Sequence, residues 1–179
     1  MQASRRIQEE ILLFKISHGD EESFAKVYDS YVDALFRFIR FRVPNVELAQ
    51  DITSELFLKL WQTTNGRDSG INNLQAFIYK MARNLIADYY RTAQATLPLE
   101  QADEVSAPNI SGGESSWSEV ELAIRKLKPE WREIVVMAYI EGFKPREIAR
   151  IIDKSSSATR VMLHRALQEL KRIMGEPPT

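Results

Sequence analysis

Between Leu97 and Ser116 the chain reads LPLEQADEVSAPNISGGESS, a run rich in Pro, Gly, Ser, Gln and acids and poor in apolar residues. Such a segment cannot bury enough surface to offset the entropy of ordering its backbone, so it reads as a flexible linker. It cuts the 179 residues into two stretches, each of which must build its own core. Small domains bury proportionally less surface than one large one, so neither half has apolar residues to spare. The expected organisation is a first domain over 1–96, a linker over 97–116 and a second domain over 117–179.

Both halves carry helical periodicity. Ser4 is placed to open a first helix that runs to about Ser17, with Ile7, Ile11 and Phe14 on one side. Gly19 ends it, and Asp20 caps a second helix whose Glu21 and Glu22 suit the N-terminal dipole. Phe24, Val27, Tyr28, Tyr31, Leu35 and Phe38 then recur every three or four residues, until Pro44 and Asn45 interrupt. A third helix, Glu47 to about Thr63, aligns Leu48, Ile52, Leu56 and Leu60 and leaves Asp51, Ser54, Glu55 and Lys59 on other faces. After the loop TTNGRDSGINN, Asn72 is expected to cap a helix from Asn73 to about Thr92, with Gln75 completing a capping box. Leu74, Phe77, Ile78, Met81, Leu85 and Ile86 point inward there, and Lys80, Arg83, Ala87 and Arg91 form an outer stripe.

In the second half Ser116 or Ser118 opens a short helix with Val120, Ile124 and Leu127. Pro129 suits the first turn of the next, whose expected core is Trp131, Val135, Ala138 and Ile140 and which Gly142 ends. From Pro145 to Ile173 the chain reads as two helices around a polar turn at Asp153 to Ser155. The second of these opens in small hydroxylated residues and carries Arg160 and Arg165. A helix-turn-helix reader of DNA needs that pattern, because small residues allow close approach to the major groove and arginines reach base edges or phosphates. Two helices of an ordinary bundle with basic residues on the wet side have the same pattern. No strand-like alternation of useful length occurs, so the expected fold is all-α, its second domain a four-helix unit.

Charge is distributed unevenly. The net charge is −1, but residues 92–116 hold 4 acidic and no basic residues, while residues 117–179 hold 12 basic and 9 acidic ones. The last segment can therefore present a basic face. Cysteine is absent, which removes disulfides and thiol chemistry and fits a reducing compartment. No apolar run approaches the roughly 20 residues of a membrane span, so a soluble cytoplasmic protein is expected. His18 and His164 have no acidic cluster at ligand spacing, so no metal or cofactor is expected. Neither a Gly-rich phosphate loop nor a nucleophile elbow appears, so the chain is not expected to be an enzyme. The Asn109-Ile-Ser111 triplet has the form of a glycosylation site and, without a secretory signal, reads as chance.

Several stretches together resemble the extracytoplasmic-function (ECF) group of bacterial sigma factors. They are Gly19 to Phe24, AQDITSELFLKLWQ (Ala49 to Gln62), AFIYKMARNLIADYYR (Ala76 to Arg91), LKPEWREIVVMAYIEGFKPREIARII (Leu127 to Ile152) and LHRALQEL (Leu163 to Leu170). The likeness covers nearly the whole chain outside the linker, in order and in spacing. It implies an alternative sigma factor that binds core RNA polymerase and directs initiation at particular promoters. It implies that Asp51, Ser54 and Glu55 dock on the polymerase, with Ser54 standing where the family usually has Gln. It implies that the loop and helix after it capture the unpaired −10 strand through Arg67, Asn72, Tyr79, Lys80, Arg83, Asn84 and Arg91. It implies that the second domain reads the −35 duplex through Ser156, Ser157, Arg160, Val161, His164 and Arg165.

The family's other implied partner is an anti-sigma factor, membrane-anchored in many members, and the free chain is expected to be a monomer with no small-molecule substrate. The departures cluster in the turn. Asp153 replaces a glycine, Lys154 and Thr159 replace apolar residues, and Lys144 stands where a Ser or Thr cap precedes Pro145. Asp tolerates left-handed geometry better than most residues. A free-standing helix-turn-helix regulator and a helical adaptor without a DNA role are the alternatives. The first would dimerise and bind a paired operator alone, and neither uses a basic helix after an Asn-rich loop.

Overall fold

The computed structural model describes residues 2–66, 70–96 and 118–175, so the expected linker and Arg67 lie outside it. The described chain is helical: α1 (Gln2–Ser17), α2 (Glu21–Arg40), α3 (Val46–Thr64), α4 (Leu74–Thr96), α5 (Glu119–Lys126), α6 (Pro129–Val135), α7 (Pro145–Ile151) and α8 (Ser156–Ile173). One π-helical turn, Val136–Ile140, extends α6. No strand occurs among the described residues.

Local signals set most of the boundaries. Gly19 takes φ +84 and closes α1, with its N–H on the Ile16 carbonyl at 2.9 Å. The Asp20 carboxylate then accepts from the N–H groups of Glu22 and Ser23 and from the Ser23 hydroxyl. Those bonds, the Ser23 hydroxyl foremost, hold its pKa below the usual carboxylate value. Asn45 caps α3 through the Leu48 N–H at 2.8 Å. Asn73, not Asn72, caps α4, accepting from the Ala76 N–H at 2.8 Å. Adjacent asparagines compete for such a cap, and α4 consequently starts at Leu74, one residue later than expected. It also runs on to Thr96, because nothing in Thr92 to Thr96 breaks a helix. Ser118 and Glu121 form the capping box of α5.

The first half packs α2, α3 and α4 around Val27, Leu35, Phe38, Ile52, Leu56, Leu60, Leu74, Ile78 and Ala82. α1 lies against α2 and α3 through Leu12, Leu13 and Ile16. The expected apolar side of α1 faces outward: Ile7, Ile11 and Phe14 are 57%, 50% and 66% exposed. The helix also begins at Gln2, ahead of the expected Ser4. The second half builds on Ile124, Leu127, Ile134, Val135, Ile148, Ile151 and Ala166, with α8 packed across α6 and α7. Val135 joins that core as expected, Trp131 and Ala138 are half-buried, and Ile140 is exposed at the end of the π turn.

The two halves also pack on each other. α4 lies against α7, the rings of Tyr79 and Phe143 meet edge-on at 4.8 Å, and the buried apolar residues form one continuous cluster. The two helical units therefore share a face.

Gly142 ends the π turn at φ +72, and a Cβ there would meet no heavy atom within 4 Å. Gly142→Ala should thus cost about 1–2 kcal/mol through left-handed backbone strain alone. A urea-unfolding series would check this, and Gly142→Asn should recover part of the loss.

Candidate nucleic-acid interface

The turn between α7 and α8 is built without glycine. Asp153 takes φ +54, the single non-glycine residue at positive φ among those described. The Lys154 N–H bonds back to the Ala149 carbonyl at 3.0 Å, which closes α7 as a left-handed C-terminal motif does. At the other end of α7, the Lys144 N–H donates to the Glu147 carboxylate at 2.7 Å. That bond is one half of a capping box; the Glu147 N–H, which a Ser or Thr side chain would accept from, bonds to the Lys144 carbonyl at 2.8 Å. Ser155 caps α8, its hydroxyl accepting from the Ala158 N–H at 3.1 Å. Thr159 is fully buried, and its hydroxyl donates to the Ser155 carbonyl at 2.9 Å.

This geometry leaves Ser157, Arg160, Val161, His164 and Arg165 exposed along α8. Ser156 is half-buried, with a hydroxyl that has no hydrogen-bond partner among the described residues. Small hydroxylated residues at the helix start and free guanidiniums beyond them suit a polyanion in a wide groove.

A second surface lies between α3 and α4. Asp51, Ser54 and Glu55 are all exposed there. Asp51 and Glu55 rim a groove of about 330 Å³ that Leu48, Ile52, Leu85 and Tyr89 also line. Ser54 is not among the groove's lining residues, and Glu55 pairs with Lys59 at 2.8 Å. An apolar floor with acidic rims fits an amphipathic helix that carries basic residues. Tyr89, 36% exposed, had no place in the sequence pattern, yet it lines this groove.

The described residues expected to hold the unpaired strand divide into two sets. Asn72, Asn84 and Arg91 are exposed, with Arg91 on Asp88 at 2.7 Å. Tyr79, Lys80 and Arg83 contact the second half, Lys80 with 39% of its side chain still exposed and Arg83 with 29%. Tyr79 is 1% exposed, between Phe38 and Phe143. Lys80 reaches the Asp153 carboxylate. Arg83 donates to Glu133 at 2.7 Å and to the Ile151 carbonyl at 2.9 Å.

Residues outside the expected set complete this contact. Glu133 also accepts from Arg42 at 2.7 Å, and Arg37 grips Glu141 through two bonds of 3.2 Å. Arg125 donates to the carbonyls of Arg40 and Val43, and Arg132 to those of Phe41, Leu127 and Arg125. Burial pushes Arg132 down to about 10 and lowers Arg42 and Arg125 as well, while it raises Glu141. The one available sequence signal was Arg132-Glu133, a charged pair inside the otherwise apolar run Trp131 to Met137.

Comparison with known proteins adds the family. A model described as Sigma-70 region 2 matches residues 27–96, and one described as Sigma-70, region 4 matches residues 117–170. The ECF RNA polymerase sigma factor BldN of Streptomyces coelicolor is 30% identical over 177 residues, which span 92% of this chain and 65% of BldN. The ECF sigma factor SigW of Bacillus subtilis is 23% identical over 88% of this chain and 92% of its own length. Two solved structures share the fold. CnrH in complex with the cytosolic domain of CnrY has a TM-score of 0.70 at 19% identity, covering 94% of this chain and 97% of that one. RpoE of Bartonella quintana in complex with the anti-sigma factor NepR has 0.71 at 18%, covering 86% and 98%.

The cap and the buried hydroxyl of the turn are separable. Ser155→Ala should destabilise the fold by about 1 kcal/mol through the lost cap. Thr159→Val, which keeps the shape and removes a hydroxyl whose carbonyl partner already accepts from the helix, should stay within about 0.5 kcal/mol of the parent. A larger loss for Thr159→Val than for Ser155→Ala in urea melts would mean that the buried hydroxyl, not the cap, holds the turn.

Proposed function

The chain belongs to the ECF group of sigma-70 factors, and from that premise we propose that it is an alternative sigma factor that binds core RNA polymerase and directs initiation at particular promoters. The observation that carries the proposal is the exposed side of α8, which presents Ser157, Arg160, His164 and Arg165 on one capped helix. In this reading residues 117–179 bind the −35 element as duplex. Residues 1–96 dock on the polymerase through the acidic groove and hold the unpaired −10 strand on α4. Residues 97–116 join the two. Phosphodiester chemistry then belongs to the polymerase, and this chain supplies binding energy alone. Its place of action is the cytoplasm, with the polymerase; no helix among the described residues is long and apolar enough to cross a membrane. A further partner is an anti-sigma factor, since RpoE of Bartonella quintana, which shares this fold, is held in complex with the anti-sigma factor NepR.

Docking is tested by charge reversal. Asp51→Arg with Glu55→Arg should abolish co-purification with core polymerase and leave helicity unchanged, because both side chains are exposed. Retained binding would move the contact away from the α3–α4 groove.

The two DNA surfaces are tested together on a promoter found by mapping transcript starts after the chain is expressed. Arg160 and Arg165 are five residues apart, about 140° around a helix, so they serve different contacts. Arg160→Ala should cost about 1–3 kcal/mol and relax preference at one position of the −35 element, whereas Arg165→Ala should weaken all sequences alike and reduce the salt dependence. Asn84→Ala should leave duplex binding intact and impair initiation, and a template pre-melted across the −10 region should not hide the defect. Full activity of Asn84→Ala on duplex promoter would remove strand capture from α4.

A further inference from the structure

We propose that the outward side of α1 is a pairing seam, on which a second copy of this chain lays its own α1 in the same direction. The surface is separate from those already described. None of the residues lining the α3–α4 groove is on α1, and the exposed side of α8 is in the other half.

The helix is apolar on two opposite sides, and its own domain uses one of them. Leu12, Leu13 and Ile16 pack on the core of the first half, and on that same side Glu9 accepts from the Tyr31 hydroxyl at 2.7 Å. Ile7, Ile11 and Phe14 lie opposite, each at least half exposed. His18, one residue past the helix end, continues their line, with its ring centroid 4.4 Å from that of Phe14. The four positions follow one another at steps of four, three and four residues. That is the spacing of a coiled-coil seam, with Ile7 and Phe14 at d and Ile11 and His18 at a. Isolated apolar residues on a surface are ordinary, but they do not keep such a spacing along one line.

The flanking charges select the occupant. In this register Glu10 is at g and Lys15 at e, five residues apart, and both are exposed. When two such helices run parallel, each g position meets the following e position of the other helix. One pairing therefore sets Glu10 against Lys15 twice, once along each edge. Antiparallel pairing brings like flanks together and loses both ion pairs. The seam is thus complementary to itself in one direction. Each chain's own core is on the far side of its α1, so the bodies of the two chains lie outside the pair and do not collide. Two short heptads bury less than the roughly 800 Å² per partner of a standard interface. A free peptide of this length would also have to order its helix on pairing. Packing on α2 and α3 has already ordered α1, which removes that cost. The contact is weak, and the dilute chain stays the monomer that the family resemblance implies.

Sedimentation equilibrium of the full chain reads the pairing. The mean mass should rise from 20.6 kDa toward twice that value as the chain is concentrated from about 10 μM to about 1 mM. Phe14→Ser should hold the mass at that of one chain throughout, with unchanged circular dichroism, because the ring is outside the core. Glu10→Lys and Lys15→Glu should each weaken association about ten-fold, since each reverses one member of both ion pairs. An equimolar mixture of these two variants restores both pairs in the mixed dimer and should associate as the parent does.

Direction is read by a thiol. The chain contains no cysteine, so Ile7→Cys introduces a single one. In the parallel pair position 7 meets its own copy, and mild oxidation should link the chains there faster than at Asp29→Cys, an exposed position of α2. A chain that keeps the mass of one copy at about 1 mM would overturn self-pairing and leave the seam to a helix of another protein. Association that survives Phe14→Ser, charge reversals without effect, or equal linking at positions 7 and 29 would overturn it as well.

Discussion

A single buried carboxylate governs how the two halves meet. Glu133 accepts from both Arg42 and Arg83, with side-chain exposures of 6%, 16% and 29%. Taking such charges out of water costs several kcal/mol per ion, and close hydrogen-bonded partners must offset it. The surroundings meet that demand on both sides. The carbonyls of Arg40, Phe41 and Val43 lie at and just beyond the end of α2, where no further helical turn supplies donors. Arg125 and Arg132 supply the donors from the second half. Each half therefore satisfies polar groups that the other leaves open. An interface built so largely of charge and backbone bonds resembles transient protein contacts more than a domain core.

How much of this was legible in the sequence follows from the range of each interaction. The cores of α2, α3 and α4 were written in the recurrence of Val27, Leu35, Phe38, Ile52, Leu56 and Leu60, because periodicity is local. The caps Asp20 and Ser118 and the stop at Gly142 were equally local. In α1 two apolar stripes compete, and periodicity cannot say which one finds a neighbour. Leu12, Leu13 and Ile16 did, so Ile7, Ile11 and Phe14 face outward. The Arg–Glu contacts between the halves link residues 50, 91 and 104 positions apart, and no local pattern announces such pairs. Hence the residue types and their positions along the helices were legible, while the burial of Tyr79 and the pairing of Lys80 and Arg83 across the contact could not be foreseen.

The turn before α8 shows how departures from a family pattern are absorbed nearby. Asp153 holds the left-handed position that glycine usually takes, and its carboxylate then serves Lys80. Thr159 replaces an apolar residue yet stays buried, because its hydroxyl finds the Ser155 carbonyl inside its own first turn. Lys144 offers no cap, and Glu147 meets the free N–H from within the helix. Each solution uses a neighbour within a few residues, so the helix pair keeps its shape. The substitution at the turn has one distant consequence: a glycine at 153 would leave Lys80 without a carboxylate there.

The exposed surfaces bear on the order of events that the proposed function requires. The α3–α4 groove lies outside the contact between the halves, with Asp51 and Glu55 exposed along its rim. In the proposed function, docking at that groove asks nothing of the contact, whereas a single strand on α4 would meet Lys80 and Arg83 already paired and Tyr79 buried. A ligand shifts an equilibrium by no more than its differential affinity for the two states. On that reading, the energy for freeing the α4 stripe has to come from contacts that depend on separation of the halves, and docking at the groove does not supply it.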